Sequence, residues 1–513
     1  YDPVHYGVPE GSYASDPDGA ARVREFREMV AGLNRAGLRV VMDVVYNHTL
    51  AAGPSSMQSV LDKLVPGYYH RRDLEGGYEA STCCNNTASE HAMMERLIVD
   101  DLVHWAVDYK VDGFRFDLMG HLMKRTLERA KAALRTLTLE ADGVDGSKIY
   151  LYGEGWDYAE VANCGRGVNA CQLQLYGTGI GSFNDRIREG CMGGSPFADP
   201  RLQGWATGLS YDPNGFAGNG DAEHQASALR ELTDRILAGV AGNLRDWRFV
   251  DRNGCEIAAK DAGWVGSNTA YAAEPAETVN YVSAHDNETL FDMIQLKAAA
   301  NLPAEERARA SNLCVALVAL SQGVPFFHAG DELLRSKSLD RDSYNSGDWF
   351  NRLDFTGASH GFGAGLPGAA KNAERWDLHR PLLARAAELR PDQPTIQAAT
   401  EHFREMLRVR SSTPLLRLRT AADVQARLRV YNRGPRQTGG VIAFAVRDGE
   451  PGVPGLAVLD ANFRAVIVVF NPTGEAVELA EAALQSDFAG VEVALHPVLA
   501  ASRDERVRTA AAG

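Results

Sequence analysis

Three carboxylates each follow a short run of apolar residues that is typical of a buried strand. Asp117 ends GFRFD, Glu154 lies within YGEGW, and Asp286 lies within SAHDN. Cleavage of a glycosidic bond needs one carboxyl group that protonates the leaving oxygen and a second that stabilises an oxocarbenium-like centre. In retaining enzymes these two groups lie about 5 Å apart. The pattern therefore indicates glycoside chemistry, provided that the fold brings the carboxylates together.

The neighbours of these carboxylates strengthen this interpretation. Arg115 precedes Asp117 by two residues, so both side chains are expected on the same side of one strand, where the arginine favours the ionised carboxylate. Gly153 and Gly155 flank Glu154 and permit close approach, and Trp156 offers a face for a sugar ring. Any one acid alone is better explained as a helix cap or an arginine partner. Three together favour an active site.

Helical and strand-like segments alternate through the first two thirds of the chain. Residues 23–33, 89–110, 124–140 and 305–321 have helical spacing, and RVVMDVVYNH, VDGFRFD, IYLYGEGW, TVNYVSAHD and GVPFFHAGDE are typical of buried strands. Such alternation predicts a parallel sheet. Ionisable residues at the carboxyl ends of the strands favour a (β/α)8 barrel of the TIM type. A doubly wound sheet is disfavoured because no glycine-rich phosphate loop opens a helix.

Other regions depart from this alternation. Residues 157–277 are rich in Gly, Asn and Asp and predict long loops around a strand near 179–185, and residues 335–395 are also irregular. From about residue 425 the segments LRVYN, GGVIAFAV, FRAVIVVFN and VEVALHPV predict short strands of a separate β-sandwich. We therefore predict a catalytic barrel over residues 1–400 and a C-terminal β-domain over residues 401–513.

Composition limits the classes of partner. The chain has 513 residues, 45% hydrophobic, and a formal net charge of -14. That charge argues against nucleic acid or an anionic membrane as the main partner and is compatible with a neutral polymer such as a glucan. No apolar stretch is long enough for a transmembrane helix. Seven cysteines match no common zinc pattern, and reduced thiols are favoured over structural bridges.

Four short segments, DVVYNH, GFRFD, GEGW and AHDN, occur in the order of the four signature regions of the α-amylase superfamily of glycoside hydrolases, which the chain resembles. Longer stretches narrow the resemblance, among them YDPVHYGVPEGSYA, STCCNNTASEH and GDELLRSKSLDRDSYNSGDWFNRLDF. These are similar to limit dextrinases and type I pullulanases, most of all to those of plants and green algae. The similarity extends over essentially the whole chain.

The resemblance implies a role for each matching position. Asp117 corresponds to the nucleophile, Glu154 to the general acid/base, and Asp286 to the third carboxylate, which stabilises the transition state. The remaining matches are substrate-binding residues and one structural residue at the foot of the site. The substrate-binding residues are Tyr1, His48, Arg115, Trp156, Phe197 and His285, and the structural residue is Asp43.

The resemblance also implies an activity, hydrolysis with retention of the α-1,6 branch linkages in limit dextrins, pullulan and amylopectin-derived glucans. No cofactor is expected, although relatives often contain structural calcium, for which Asp16–Gly19 is a candidate turn. The family implies a plastid location, or secretion for a bacterial relative. Its pattern places two further barrel strands before Tyr1, so residues 1–513 alone are expected to be marginally stable or inactive.

Two alternatives stay open at this point. One is a relative with mixed α-1,4 and α-1,6 specificity. The other is a non-catalytic glucan-binding protein on an amylase-like fold, because a fold alone does not determine a function. The second alternative predicts the loss of one or more carboxylates, and this sequence has all three.

Overall fold

The computed structural model describes residues 2–263, 268–450, 454–479 and 481–510. The chain divides into two compact units, Tyr1–Phe183 and Asn184–Gly513. The predicted domain boundary after residue 400 falls within the helix Gln393–Ser412. The division into residues 1–400 and 401–513 stays a prediction.

Parallel strands form the centre of the first unit. Val41–Val44 pairs in parallel with Gly113–Phe116, which pairs in parallel with Tyr150–Gly153. Tyr150–Gly153 then pairs with Gly181–Asn184 through Gly181 and Ser182. A separate two-stranded antiparallel ribbon consists of His48–Thr49 and Asn85–Asn86.

Helices connect and cover these strands. The α-helices of the first unit are Ala21–Arg35, Leu61–Leu64, Ala92–Tyr109 and Lys124–Arg135. Its 3-10 turns are Gly11–Tyr13, Met119–His121, Gly146–Lys148 and Ala159–Cys164. The helix Ala92–Tyr109 shows why the sequence folds this way: Ile98, Leu102, Trp105 and Ala106 recur at helical spacing, and all four are buried. They share one hydrophobic core with Phe114 and Phe116 of the adjacent strand.

The second unit continues the alternation of helices with parallel strands. Thr278–Asn280 pairs in parallel with Val324–Pro325, and the helix Ala304–Leu320 precedes the latter strand. An antiparallel pair, Arg248–Val250 and Glu256–Ala258, lies earlier in the unit. The α-helices of this unit are Asp185–Met192, Ala222–Val240, Leu290–Lys297, Ala304–Leu320, Asp348–Asn351, Ala369–Asn372, Trp376–Ala384, Ala386–Leu389, Gln393–Ser412, Ala421–Arg427, Ala482–Asp487, Pro497–Ala500 and Glu505–Arg508. Its 3-10 turns are Ala217–Asn219, Ala259–Asp261, Pro275–Glu277, Asp331–Leu333, Ser343–Asn345, Ala373–Arg375 and Pro414–Arg417.

An antiparallel sheet forms the C-terminal part of the second unit. Leu428–Tyr431, Ile442–Arg447 and Ala465–Phe470 pair in that order, as the first three predicted C-terminal strands require. The fourth prediction, a strand in VEVALHPV, is wrong. Residues 491–496 have no strand and lead into the short helix Pro497–Ala500. Proline lacks the backbone N–H that a strand ladder needs, and Val491 and Val493 are exposed.

The prediction of long loops over residues 157–277 is also wrong in part. A helix of 19 residues, Ala222–Val240, lies in the middle of this region. Its N-cap is Asp221, whose side chain accepts a hydrogen bond from the backbone N–H of His224 at 2.9 Å. The strand predicted near residues 179–185 is present as Gly181–Asn184.

Alternating helices and parallel strands confirm the α/β class. Among the described residues, no helix is long and apolar enough to cross a membrane.

Candidate active site

Two predicted catalytic carboxylates lie at the carboxyl ends of neighbouring parallel strands. Asp117 follows the strand Gly113–Phe116, and its backbone N–H donates to Val44 O at 3.0 Å. Glu154 follows Tyr150–Gly153, and its N–H donates to Phe116 O at 3.2 Å. These bonds extend the sheet ladder by one step on each strand. The backbone of both acids is therefore fixed by the sheet and not by a loop.

One guanidinium connects the acids of this sheet. Arg115 Nη1 lies 2.8 Å from Asp43 Oδ1 and 3.1 Å from Asp117 Oδ1, and its Nη2 lies 3.1 Å from Glu154 Oε1. The side chains of Arg115, Asp117 and Glu154 are largely buried, whereas Asp43 is half exposed. Burial alone would lower the pKa of Arg115, but the carboxylates of Glu154, Asp43 and Asp117 raise it above its ordinary value. Arg115 is therefore a permanent cation between the two acids.

Asp117 has a second polar partner that the sequence did not single out. The amide Nδ2 of Asn47 donates to Asp117 Oδ2 and to the Asp117 carbonyl oxygen, both at 2.9 Å. Asn47 is buried. It lies in DVVYNH next to His48, and only this position within a signature segment could have indicated it. Hydrogen bonds to a carboxylate favour its charged form.

Glu154 is bound by backbone as well as by Arg115. Its Oε2 accepts the N–H of Leu118 at 2.8 Å. Leu118 adopts a left-handed conformation, with φ of 39°, which is uncommon for a residue with a branched side chain. Such strain is found where the surrounding structure requires a specific backbone direction. Here it turns the chain after Asp117 so that an N–H points at the neighbouring acid.

The two glycines around Glu154 have no room for a side chain. A Cβ at Gly153 would lie 2.4 Å from Phe116 O, and one at Gly155 would lie 2.6 Å from Ser182 Oγ. Trp156 follows and is partly buried. The close approach predicted from the sequence is present at both glycines.

His48 has polar atoms at both ring nitrogens. Nδ1 lies 2.6 Å from Asn47 Oδ1, and Nε2 lies 2.9 Å from Asp2 Oδ1. Because the Asn47 amide nitrogen faces acceptors on Asp117, its oxygen faces His48, and His48 Nδ1 is the donor. The imidazole is buried and is fixed at both ends.

The remaining predicted residues lie elsewhere. Tyr1 is outside the described residues. Phe197, His285 and Asp286 belong to the second unit. The Phe197 residue is 89% exposed. His285 Nε2 lies 3.6 Å from Asp286 Oδ1, and both side chains are about half exposed. The first unit thus brings together Asp43, His48, Arg115, Asp117 and Glu154, and the roles of all predicted site residues stay predictions.

The proposed calcium turn shows no ligand cluster. The Asp16 carboxylate accepts the backbone N–H of Asp18 at 3.0 Å, as in an ordinary turn. In the part of the chain that the structure describes, ligand atoms of three or more His, Cys, Asp or Glu residues lie close together in one place. That group does not include Asp16 or Asp18. The structural calcium expected from the family stays a prediction.

A pair of carboxyl groups at one site is the usual feature of glycoside hydrolases, and comparison with known proteins agrees. Residues 357–513 match the family model described as "Alpha-1,6-glucosidases, pullulanase-type, C-terminal". The chain is 51% identical over 509 residues to Pullulanase 1, chloroplastic, of Arabidopsis thaliana, covering 99% of this chain and 52% of that protein.

Solved structures give the same result. The crystal structure of PulA from Klebsiella oxytoca matches with a TM-score of 0.89 and 39% identity, covering 97% of this chain and 45% of that one. A maltotriose complex of PulA from Klebsiella pneumoniae matches with a TM-score of 0.88 and 39% identity, covering 97% and 51%. The chain belongs to the pullulanase family, as its motifs indicated. It spans about half the length of the relatives that it matches.

Proposed function

We propose that this chain is the catalytic part of a starch-debranching enzyme that hydrolyses α-1,6-glucosidic linkages with retention of configuration. The observation that carries the proposal is the placement of Asp117 and Glu154 on neighbouring strands, with Arg115 between them. Substrates are the branched or α-1,6-linked glucans: limit dextrin, pullulan and amylopectin fragments. The maltotriose complexes of the Klebsiella relative support a glucan ligand. Retention of all three predicted carboxylates disfavours a non-catalytic glucan-binding protein.

The mechanism assigns one step to each acid. Asp117 attacks the anomeric carbon while Glu154 donates a proton to the leaving oxygen, which gives a covalent β-glucosyl intermediate and frees one glucan chain. Glu154 then takes a proton from water, the water oxygen attacks the anomeric carbon, and Asp117 leaves as a carboxylate. Asn47 and Arg115 stabilise Asp117 in its charged form before attack and after release. The family role of the third carboxylate is proposed for Asp286 from the resemblance.

We also propose the finer architecture that the family implies, an amylase-type (β/α)8 barrel followed by a C-terminal β-sandwich. Parallel strands in both units support the barrel, and the antiparallel strands Leu428–Tyr431, Ile442–Arg447 and Ala465–Phe470 support one sheet of the sandwich. The chloroplastic relative supports a plastid location.

The experiment that tests the function compares two glucans. Pullulan and linear amylose are incubated with residues 1–513 and with the full gene product. We expect the full gene product to release maltotriose from pullulan and nothing from amylose, and we expect residues 1–513 alone to be less active or inactive. Asp117→Asn should abolish release, whereas Glu28→Gln, an exposed acid of the same unit, should leave it unchanged. Short products from amylose would support mixed specificity, and release by Asp117→Asn would contradict the assigned nucleophile.

A further inference from the structure

A group of metal-binding side chains lies against His48, on the side away from Asn47. It contains Asp2, His48, Cys83 and Cys84, and its candidate ligand atoms all lie within 4.8 Å of one another. Cys83 Sγ is 3.5 Å from Asp2 Oδ1 and 3.4 Å from Cys84 Sγ, and His48 Nε2 is 2.9 Å from Asp2 Oδ1. Both cysteines are free thiols. The chain thus places two sulfurs, one imidazole nitrogen and one carboxylate around one point.

The types of ligand atom, and the distances between these atoms, match a tetrahedrally coordinated metal ion. Zinc binds sulfur at about 2.3 Å and nitrogen or oxygen at about 2.0–2.2 Å, so its ligand atoms lie roughly 3.3–3.8 Å from one another. The three separations given above fall within about half an ångström of that range. Two thiolates and an imidazole favour a thiophilic divalent cation over magnesium or calcium, which prefer oxygen ligands.

The orientation of the His48 ring leaves Nε2 facing the group. Nδ1–H donates to Asn47 Oδ1, and Nε2 lies on the side of Asp2. An imidazole whose distal N–H is fixed by an amide or carboxylate oxygen is the usual arrangement of a histidine metal ligand. Cys83 is exposed, which gives an ion a route from solvent.

We propose that Asp2, His48, Cys83 and Cys84 bind one zinc-class divalent cation and that its binding inhibits the enzyme. Binding converts the two thiols to thiolates and releases their protons to solvent. The ion binds Nε2 of His48 together with Asp2 and the two thiolates, so this nitrogen can no longer exchange its contact with Asp2 for a sugar. The inhibition rests on the proposed function, because it requires His48 to bind substrate, but metal binding itself does not.

Direct metal binding is the first test. The full gene product, reduced with a phosphine and freed of metal, is titrated with Co2+ and then with Zn2+. We expect one Co2+ per chain, with the sulfur-to-cobalt absorption of a tetrahedral thiolate site, and displacement by Zn2+. Cys83→Ser, Cys84→Ser and Asp2→Asn should each weaken binding at least tenfold, and both cysteine variants should reduce the sulfur-to-cobalt band.

The matched control is Cys255→Ser, which changes an exposed free cysteine of the second unit. It should bind like the wild type, and unchanged thermal melting should show that each variant is folded. A wild type without stoichiometric Co2+ binding, or binding that is unaffected in both Cys83→Ser and Cys84→Ser, would overturn the site.

The inhibition is tested separately on pullulan. One equivalent of Zn2+ should raise KM in the wild type and in Cys255→Ser, with little effect on Cys84→Ser. Equal inhibition of Cys84→Ser would overturn the link between this site and activity. If the metal-free protein releases no maltotriose, the proposed function fails, while the Co2+ spectrum still decides whether the metal site exists.

Discussion

A shared cation is the main electrostatic feature of the site at the scale of single residues. Arg115 contacts both Asp117 and Glu154, so each acid is close to a positive charge that cannot be removed at ordinary pH. Asn47 adds a neutral donor to Asp117 alone. A neutral donor stabilises the carboxylate without adding charge to the site. Replacing Asn47 by a residue whose side chain only accepts hydrogen bonds should therefore affect Asp117 more than Glu154.

We predict that Asn47→Asp impairs attack by Asp117. The new side chain lacks the N–H that donates to Asp117 and places a second carboxylate beside it. The kcat/KM on pullulan should fall about 10- to 100-fold, since a hydrogen bond to a charged group contributes about 1.5–3 kcal/mol.

The matched control is Asn85→Asp, which changes a partly buried asparagine in the strand paired with His48–Thr49. It should leave kcat/KM unchanged. An unchanged kcat/KM in Asn47→Asp would mean that Asn47 does not support Asp117 in the reaction.

Some of the contacts between these side chains were predictable from the sequence, and others were not. Alternation along a strand placed Arg115 and Asp117 on one side, and they are in contact. The approach of Arg115 to Glu154 was not predicted, because it depends on the register of two strands, which one sequence does not reveal. Asn47 was missed because a buried asparagine has no chemical signature of its own.

At the scale of elements, close contact between neighbouring strands positions the two acids. Gly153 lies against the carbonyl oxygen of Phe116, the residue before Asp117. A methyl group there would push the strand Tyr150–Gly153 away from Gly113–Phe116. The spacing between Asp117 and Glu154 would change with it.

We predict that Gly153→Ala destabilises the protein by about 1–3 kcal/mol, as expected for overpacking, and lowers kcat. Gly32→Ala is the matched control, because its added Cβ meets nothing closer than 3.8 Å within the helix Ala21–Arg35. It should leave stability unchanged or raise it by up to about 1 kcal/mol. Thermal melting and pullulan turnover measure both effects, and a neutral Gly153→Ala would contradict the packing argument.

Elements were predictable where hydrophobic periodicity was strong. The helix predicted over residues 89–110 is Ala92–Tyr109, and the one predicted over 305–321 is Ala304–Leu320. The helix Ala222–Val240 was missed because Gly-, Asn- and Asp-rich segments surround it. In VEVALHPV, alternating valines indicated a strand, but alternation alone cannot supply a pairing partner.

Stability against pH depends on buried ionisable groups of the whole molecule. Asp331 is buried in the second unit, where its carboxylate accepts hydrogen bonds from Ser283 Oγ at 2.9 Å and from His328 N at 3.1 Å. Burial raises its pKa to about 7. The folded protein therefore retains a proton at Asp331 that the unfolded chain, with an aspartate pKa of about 3.9, has already released below neutral pH.

We predict that Asp331→Asn flattens the pH dependence of unfolding between about pH 4 and pH 7. The wild type gains stability from protonated Asp331 below about pH 4 and loses it as the pH rises through 7, by up to about 1.4 kcal/mol per pH unit. Urea unfolding of both proteins across this range gives the difference. Burial lowers the pKa of His328 to about 3, so this histidine makes the folded protein more stable as the pH rises, the opposite of Asp331. Both the wild type and Asp331→Asn contain His328, so subtracting one free energy of unfolding from the other isolates the effect of Asp331. A constant difference across the range would contradict the prediction.

For the whole molecule, the proposed chemistry is that Asp117 forms a glucosyl ester, which Glu154 helps to hydrolyse. Trapping that ester shows which carboxylate attacks the sugar. In Glu154→Gln, α-maltotriosyl fluoride should still react, because fluoride leaves without a proton, whereas hydrolysis of the ester should be slow without the base.

The measurement is peptide mass spectrometry after acid quenching and digestion of Glu154→Gln treated with α-maltotriosyl fluoride. We expect the peptide that contains Asp117 to gain one maltotriosyl group, and the double variant Asp117→Asn, Glu154→Gln to gain none. A maltotriosyl group on a different carboxylate, or none at all in a protein that still consumes the fluoride, would contradict the assigned nucleophile.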